Sequence, residues 1–129
     1  MTSLDSIIAG KDFDPPRVMI HGGAKVGKST TAAGAPNVIF TDIENGLGAI
    51  GAPRFPVAKT YGDVIDNIRS LMREKHDYQS YAIDSLDWLE TLIWADVCSD
   101  HGVDSISDFG YGKGYKYALD LWHKIKQGL

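Results

Sequence analysis

One cysteine in 129 residues, Cys98, is too few for an internal disulfide framework, and its apolar neighbours predict a small buried side chain rather than a reactive thiol. Long apolar runs are also missing: none approaches the roughly 20 residues that span a bilayer. The opening Met1-Thr2-Ser3-Leu4-Asp5 has neither a basic flank nor an apolar stretch, so no membrane span and no export signal are expected, and the reducing cytoplasm is the expected compartment. Positive charge is not in excess. The formal net charge of −4 provides no general field for nucleic acid, which confines any such contact to a local patch. His21, His76, His101 and His123 lack the paired spacing of zinc ligands, and Cys98 has no companion ligand near His101. What remains is ordinary globular material, 43% hydrophobic and 23% charged, in a length that suits one domain and one site.

Pro15-Pro16 imposes extended or turn geometry and separates residues 1–16, read as an N-terminal extension, from a domain over 17–129. Arg17-Val18-Met19-Ile20-His21 reads as a short buried strand, interrupted by glycines, and Lys28 to Ala33 as a short helix of small residues. Val38 to Thr41 is a second strand, and Pro56 to Lys59 a shorter edge strand. Val64, Ile65, Ile68, Leu71 and Met72 follow helical spacing behind Thr60 and Asp63 in capping-box positions. Ser80 to Ile83 predicts a strand ending at Asp84. Leu86, Leu89, Leu92, Ile93 and Val97 mark the inner face of the next helix, Ser99 to Gly114 a loop, and Tyr115, Ala118, Leu119, Trp122 and Ile125 a final helix. Strands alternating with helices, without hairpin signals, imply an α/β layered sheet of mainly parallel strands.

The chemistry concentrates in Gly22-Gly23-Ala24-Lys25-Val26-Gly27-Lys28-Ser29, which fits the phosphate-loop pattern G-x-x-x-x-G-K-S/T between a predicted strand and a predicted helix. Glycines let the backbone curl with its N–H groups inward, forming a nest for phosphate oxygens at the positive end of a helix. Lys28 supplies a mobile charge for the β and γ phosphates, Ser29 a hard oxygen suited to Mg²⁺, and Thr30 a contact near the α phosphate. Such a match arises by chance in roughly one chain in a hundred of this composition, and the flanking elements lower that further.

Ligands of open α/β sheets sit beyond the carboxyl ends of the strands, where two acids are expected here. Asp84, after Ser80-Tyr81-Ala82-Ile83, has the Walker B layout and would hold the Mg²⁺ shell through water; its plainer role would be to cap the following helix. Glu44, in Thr41-Asp42-Ile43-Glu44-Asn45-Gly46, stands where a carboxylate could polarise a water opposite the γ phosphate, or be a solvated turn acid.

With Gly22 to Thr30, Asp42 to Gly46 and Ile83-Asp84-Ser85 in place, the chain resembles the RecA-like branch of P-loop ATPases. Within it the likeness is to the phage-encoded AAA-type ATP-binding proteins of single-strand annealing and recombination. Tyr111-Gly112-Lys113-Gly114-Tyr115 ahead of a helix is similar to those proteins too. The resemblance runs from about Arg17 to the end, and implies a RecA-like core, ATP and Mg²⁺ as ligands, Glu44 with Lys28 as the catalytic groups, a homo-oligomer, and a bacterial host's cytoplasm. In that branch a further strand with a polar sensor is inserted between the phosphate-loop strand and the Asp84 strand. The sequence stops before it, so the chain is expected to be the N-terminal half or two-thirds of such a core. A non-hydrolysing nucleotide-binding module is therefore the main alternative, and a small-molecule kinase the second, disfavoured by having only Arg17, Arg54, Arg69 and Arg73 for a lid. No Asn-Lys-x-Asp segment is present to read guanine.

Weaker signals lie toward the C-terminal end. Lys113, Lys116, Lys124 and Lys126, interleaved with Tyr115, Tyr117 and Trp122, form a segment near Tyr111–Lys126 that could touch single-stranded DNA, against the plainer reading of core aromatics and a solvated basic face. Asp96, Asp100, Asp104 and Asp108 are read as solvated acids, and Trp88 or Trp94, off the apolar stripe, as a candidate subunit contact.

Overall fold

The computed structural model describes residues 3–110 and 112–129. Two parallel strands form its centre, β1 (Val38–Asp42) and β2 (Ser80–Asp84), paired from Val38 with Ser80 to Asp42 with Asp84. Among the described residues four α-helices surround them: α1 (Lys28–Ala33), α2 (Tyr61–Arg73), α3 (Leu86–His101) and α4 (Lys113–Gly128). Short 3₁₀ helices occupy Leu4–Ser6 and Ile106–Phe109.

All five residues of β1 are buried, as expected of a strand covered on both faces. Alternation then sorts the side chains. Val38 and Phe40 join Leu47 and Ala52 in one cluster, against which Ala32, Ala33 and Ala82 pack from α1 and β2. On the opposite face Tyr81 and Ile83 pack against a larger cluster built from α2, α3 and α4, including Val64, Ile68, Leu89, Ile93, Val97, Ala118 and Ile125. Cys98 is half-buried beside that cluster rather than fully enclosed.

The helix over residues 61–73 has the expected capping box: the Thr60 hydroxyl accepts from the Asp63 N–H, and the Asp63 carboxylate accepts from the N–H groups of Thr60 and Lys59. These backbone donors, Lys59 first, hold the Asp63 carboxyl below its ordinary pKa.

Three expected elements differ. Arg17–His21 is no strand: it pairs with nothing among the described residues, and Val18 and Met19 are 77% and 70% exposed. Both edges of β1 are taken, one by β2 and the other by residues 53–58, and residues 17–21 do not pair with the outer edge of β2 either. Pro56–Lys59 is no strand either. The chain does run beside β1, with an isolated bridge from Arg54 to Phe40 and an Ala58 N–H to Asp42 carbonyl bond of 2.8 Å, but Pro56 has no N–H to continue the ladder. The expected loop over 99–114 is shorter and more ordered. α3 runs to His101 and stops at Gly102 in the left-handed conformation, Ser105 and Asp108 form a capping box on the Ile106–Phe109 turn, and α4 starts at Lys113. No helix among the described residues is long and apolar enough to cross a membrane.

Candidate functional site

The glycine-rich loop meets α1 at Gly27, which has φ 95° and ψ 23°, a left-handed conformation in which a β-carbon is strained. Lys25 adds a second left-handed residue at φ 59°. Gly22, Gly23, Ala24, Lys25 and Val26 are exposed, as is Thr30, whereas Gly27, Lys28 and Ser29 are partly buried. From the first turn of α1 the Lys28 ammonium donates back to the carbonyl oxygens of Gly22 at 2.6 Å and Gly23 at 2.9 Å, bridging the loop it belongs to. Thr31 holds the joint by donating its N–H and hydroxyl to the Gly27 carbonyl.

One residue after Lys28, the Ser29 hydroxyl donates to Asp84 Oδ2 at 2.5 Å. This contact takes the Asp84 carboxylate away from the start of α3. The N-cap of α3 is Ser85, without a side-chain cap bond, and the Asp84 carboxylate instead faces α1. A hydroxyl and a carboxylate thus stand together at the carboxyl end of β2, beside the start of α1.

The second acid reaches the same edge by its backbone. The Ile43 and Glu44 N–H groups both donate to the Asp84 carbonyl, at 2.9 and 3.4 Å, and the Glu44 side chain is exposed. The turn carrying it begins at Asp42, which is 1% exposed and accepts the Asn45 N–H on Oδ1 at 2.7 Å. Asn45 has φ 60°, a conformation that asparagine tolerates better than most residues. The first turn of α1, the Glu44 turn and the end of β2 therefore converge. Behind them Thr41 Oγ1 lies 2.6 Å from the Tyr81 hydroxyl and accepts from Asn67 Nδ2 at 3.1 Å, joining β1, β2 and α2. Burial pushes the Tyr81 phenol up to about 12, against a smaller opposite effect of the Thr41 bond.

A family model described as an AAA domain matches residues 14–128. The chain belongs to this AAA-domain family. No curated protein and no solved structure matches it. Membership in the AAA family makes this a P-loop domain of a nucleotide-binding kind.

The weaker expectations are spread elsewhere on the AAA domain. Lys113, Lys116, Lys124 and Lys126 are exposed along α4, Tyr115 is 51% exposed with its ring edge-on to Trp94, and Trp122 packs against the core. Tyr117 stacks on His101 at 4.4 Å, and Tyr111 lies outside the described residues. Trp88 is the exposed tryptophan of α3, while Trp94 packs against the core. Asp108 serves the 3₁₀ cap, and Asp96 is half-buried, its carboxyl pushed up first by burial and then by Asp100. Sequence reasoning attached no role to Asp42 or to the Thr41–Tyr81–Asn67 group. A carboxylate two positions before Glu44, at the end of an otherwise apolar strand, was the available signal for the first. The second joins residues too far apart in the chain to leave one.

Proposed function

We propose that this AAA domain, residues 17–129 behind an N-terminal extension, has a RecA-like architecture and belongs to an ATP-binding protein that hydrolyses ATP in phage DNA recombination or single-strand annealing. The observation that carries the nucleotide chemistry is the meeting of Ser29 and Asp84 beside Lys28. Nest amides of residues 22–30 and the Lys28 ammonium receive the phosphates. Mg²⁺ in phosphate sites takes one or two protein oxygens and completes its shell with phosphate and water, so a serine hydroxyl beside a single carboxylate fits it. Ser29 and Asp84 are the residues to hold it, and the ion would neutralise charge on the phosphates. Glu44, held at the same sheet edge, accepts the proton of the attacking water. The DNA role and the homo-oligomer rest on the resemblance of the three motif segments, and single-stranded DNA is assigned to the exposed lysines of α4.

The test is a titration of ATP with and without Mg²⁺, combined with phosphate release, on the natural chain and on Lys28→Ala. Binding that vanishes in Lys28→Ala supports the site, and unchanged binding removes it. ATP bound yet intact selects the non-hydrolysing module.

A further inference from the structure

Asp42 is the most deeply buried acid of the chain, at 1% exposure, and the turn to Glu44 starts from it. Burying a carboxylate is costly unless its oxygens are used, and an apolar residue would serve the end of β1 better. Its main chain is held from both sides: Asp42 is the register partner of Asp84, and its carbonyl accepts from Ala58. Beyond it the backbone donors of Ile43 and Glu44 go across to the Asp84 carbonyl, and no backbone hydrogen bond within residues 42–46 closes the turn. The closure is the bond from the Asn45 N–H to Asp42 Oδ1, which holds Asn45 at φ 60°. A short bond to a side-chain oxygen suits the fixing of a conformation that most residues avoid.

We propose that Asp42 is a positioning residue: its carboxylate closes the turn that carries Glu44 and so keeps Glu44 beside the end of β2. The proposal rests on the reading of Glu44 as the group that activates water. Asp42 itself touches no phosphate and carries no proton in the reaction. Its effect is to fix where Glu44, two positions further on, stands.

Three variants of the full chain separate the possibilities: Asp42→Ala, which removes the acceptor, Asp42→Asn, which keeps an Oδ1 acceptor, and Glu44→Gln. Asp42→Ala should lower kcat on the order of 100-fold, the scale of a small misplacement of a reacting group, with the affinity for Mg-ATP unchanged. Asp42→Asn should restore most of that loss. Hydrogen exchange at the Asn45 amide, which needs no turnover, should speed up about 10-fold in Asp42→Ala and not in Asp42→Asn, with β1 amides still protected. Unchanged Asn45 exchange overturns the proposal, as does affinity falling together with kcat or a chain that melts as a whole, either of which makes Asp42 a residue of the general fold. Full turnover in Glu44→Gln overturns instead the reading of Glu44 beneath it, an outcome distinguishable because the Asn45 amide still reports on the turn.

Discussion

Ser29 Oγ and Asp84 Oδ2, 55 residues apart in sequence, are joined by a hydrogen bond of 2.5 Å that ties the first turn of α1 to the end of β2. If the pair serves one ion, its two halves act as a unit. Ser29→Ala and Asp84→Ala should each remove the Mg²⁺-dependent part of nucleotide affinity, about 10-fold or ~1.4 kcal/mol, and the double variant should lose little more than either single one. Titrations with a fluorescent ATP analogue, with and without Mg²⁺, give the cycle directly. Additive losses would separate the two roles.

Tyr81 ties stability to alkaline pH. Its phenol is pushed up to about 12 by burial, above its unfolded value of about 10. The neutral hydroxyl is therefore favoured in the fold: its contribution is whole below pH of about 10 and is lost as pH rises from there toward about 12. Tyr81→Phe should cost about 1 kcal/mol at neutral pH, the scale of one hydrogen bond, while leaving Asn67 to serve Thr41. It should also flatten the loss of stability in alkali, measured by urea unfolding at neutral pH and above pH of about 10.

The N-terminus of α2 provides a prediction in acid. The Asp63 carboxyl is held below its ordinary value by the backbone donors of Lys59 and Thr60, so its support is present above the unfolded aspartate pKa of about 3.9 and fades as pH falls below it. Thr60→Ala should cost about 1 kcal/mol at neutral pH, within the usual range for a lost cap, and Asp63→Ala should remove the acid sensitivity. Thermal melts at neutral and acid pH check both.

Gly114 is buried in the first turn of α4, where an added β-carbon would overlap the Ile106 carbonyl oxygen and stand 2.7 Å from the Phe109 ring. Gly114→Ala should destabilise the chain by about 1–3 kcal/mol despite the better helix propensity of alanine, because backbone cannot move aside as a side chain can. A fall in Tm shows it, and an unchanged Tm would mean that the Ile106–Phe109 turn yields.

These cases show where the sequence was readable. Thr60 and Asp63 announced α2 because a capping box is a local device, and the β-branched runs at 38–41 and 80–83 announced β1 and β2. The glycine loop with Lys28 and Ser29 stood out by its spacing, Asp84 by its place after a strand, and the fold brings Ser29 and Asp84 together. What could not be read depends on partners. Arg17–His21 has the side chains of a strand, yet a strand exists only by pairing, and this segment pairs with neither β1 nor β2. Two glycines near the start of α4 argued for a loop up to Gly114, whereas Gly112 adopts a left-handed entry and Gly114 admits the Ile106 turn. Asp42 was visible as a letter and unreadable as a carboxylate sealed under its own turn.

The way α1 is mounted has a mechanical corollary. Its described side-chain ties to the rest of the fold are a serine hydroxyl at one end and a few alanine methyls laid on β1. A support of that kind works like a pivot. If the loop ahead of α1 grips phosphate as proposed, so light a support leaves that grip free to adjust without repacking the larger cluster behind the sheet.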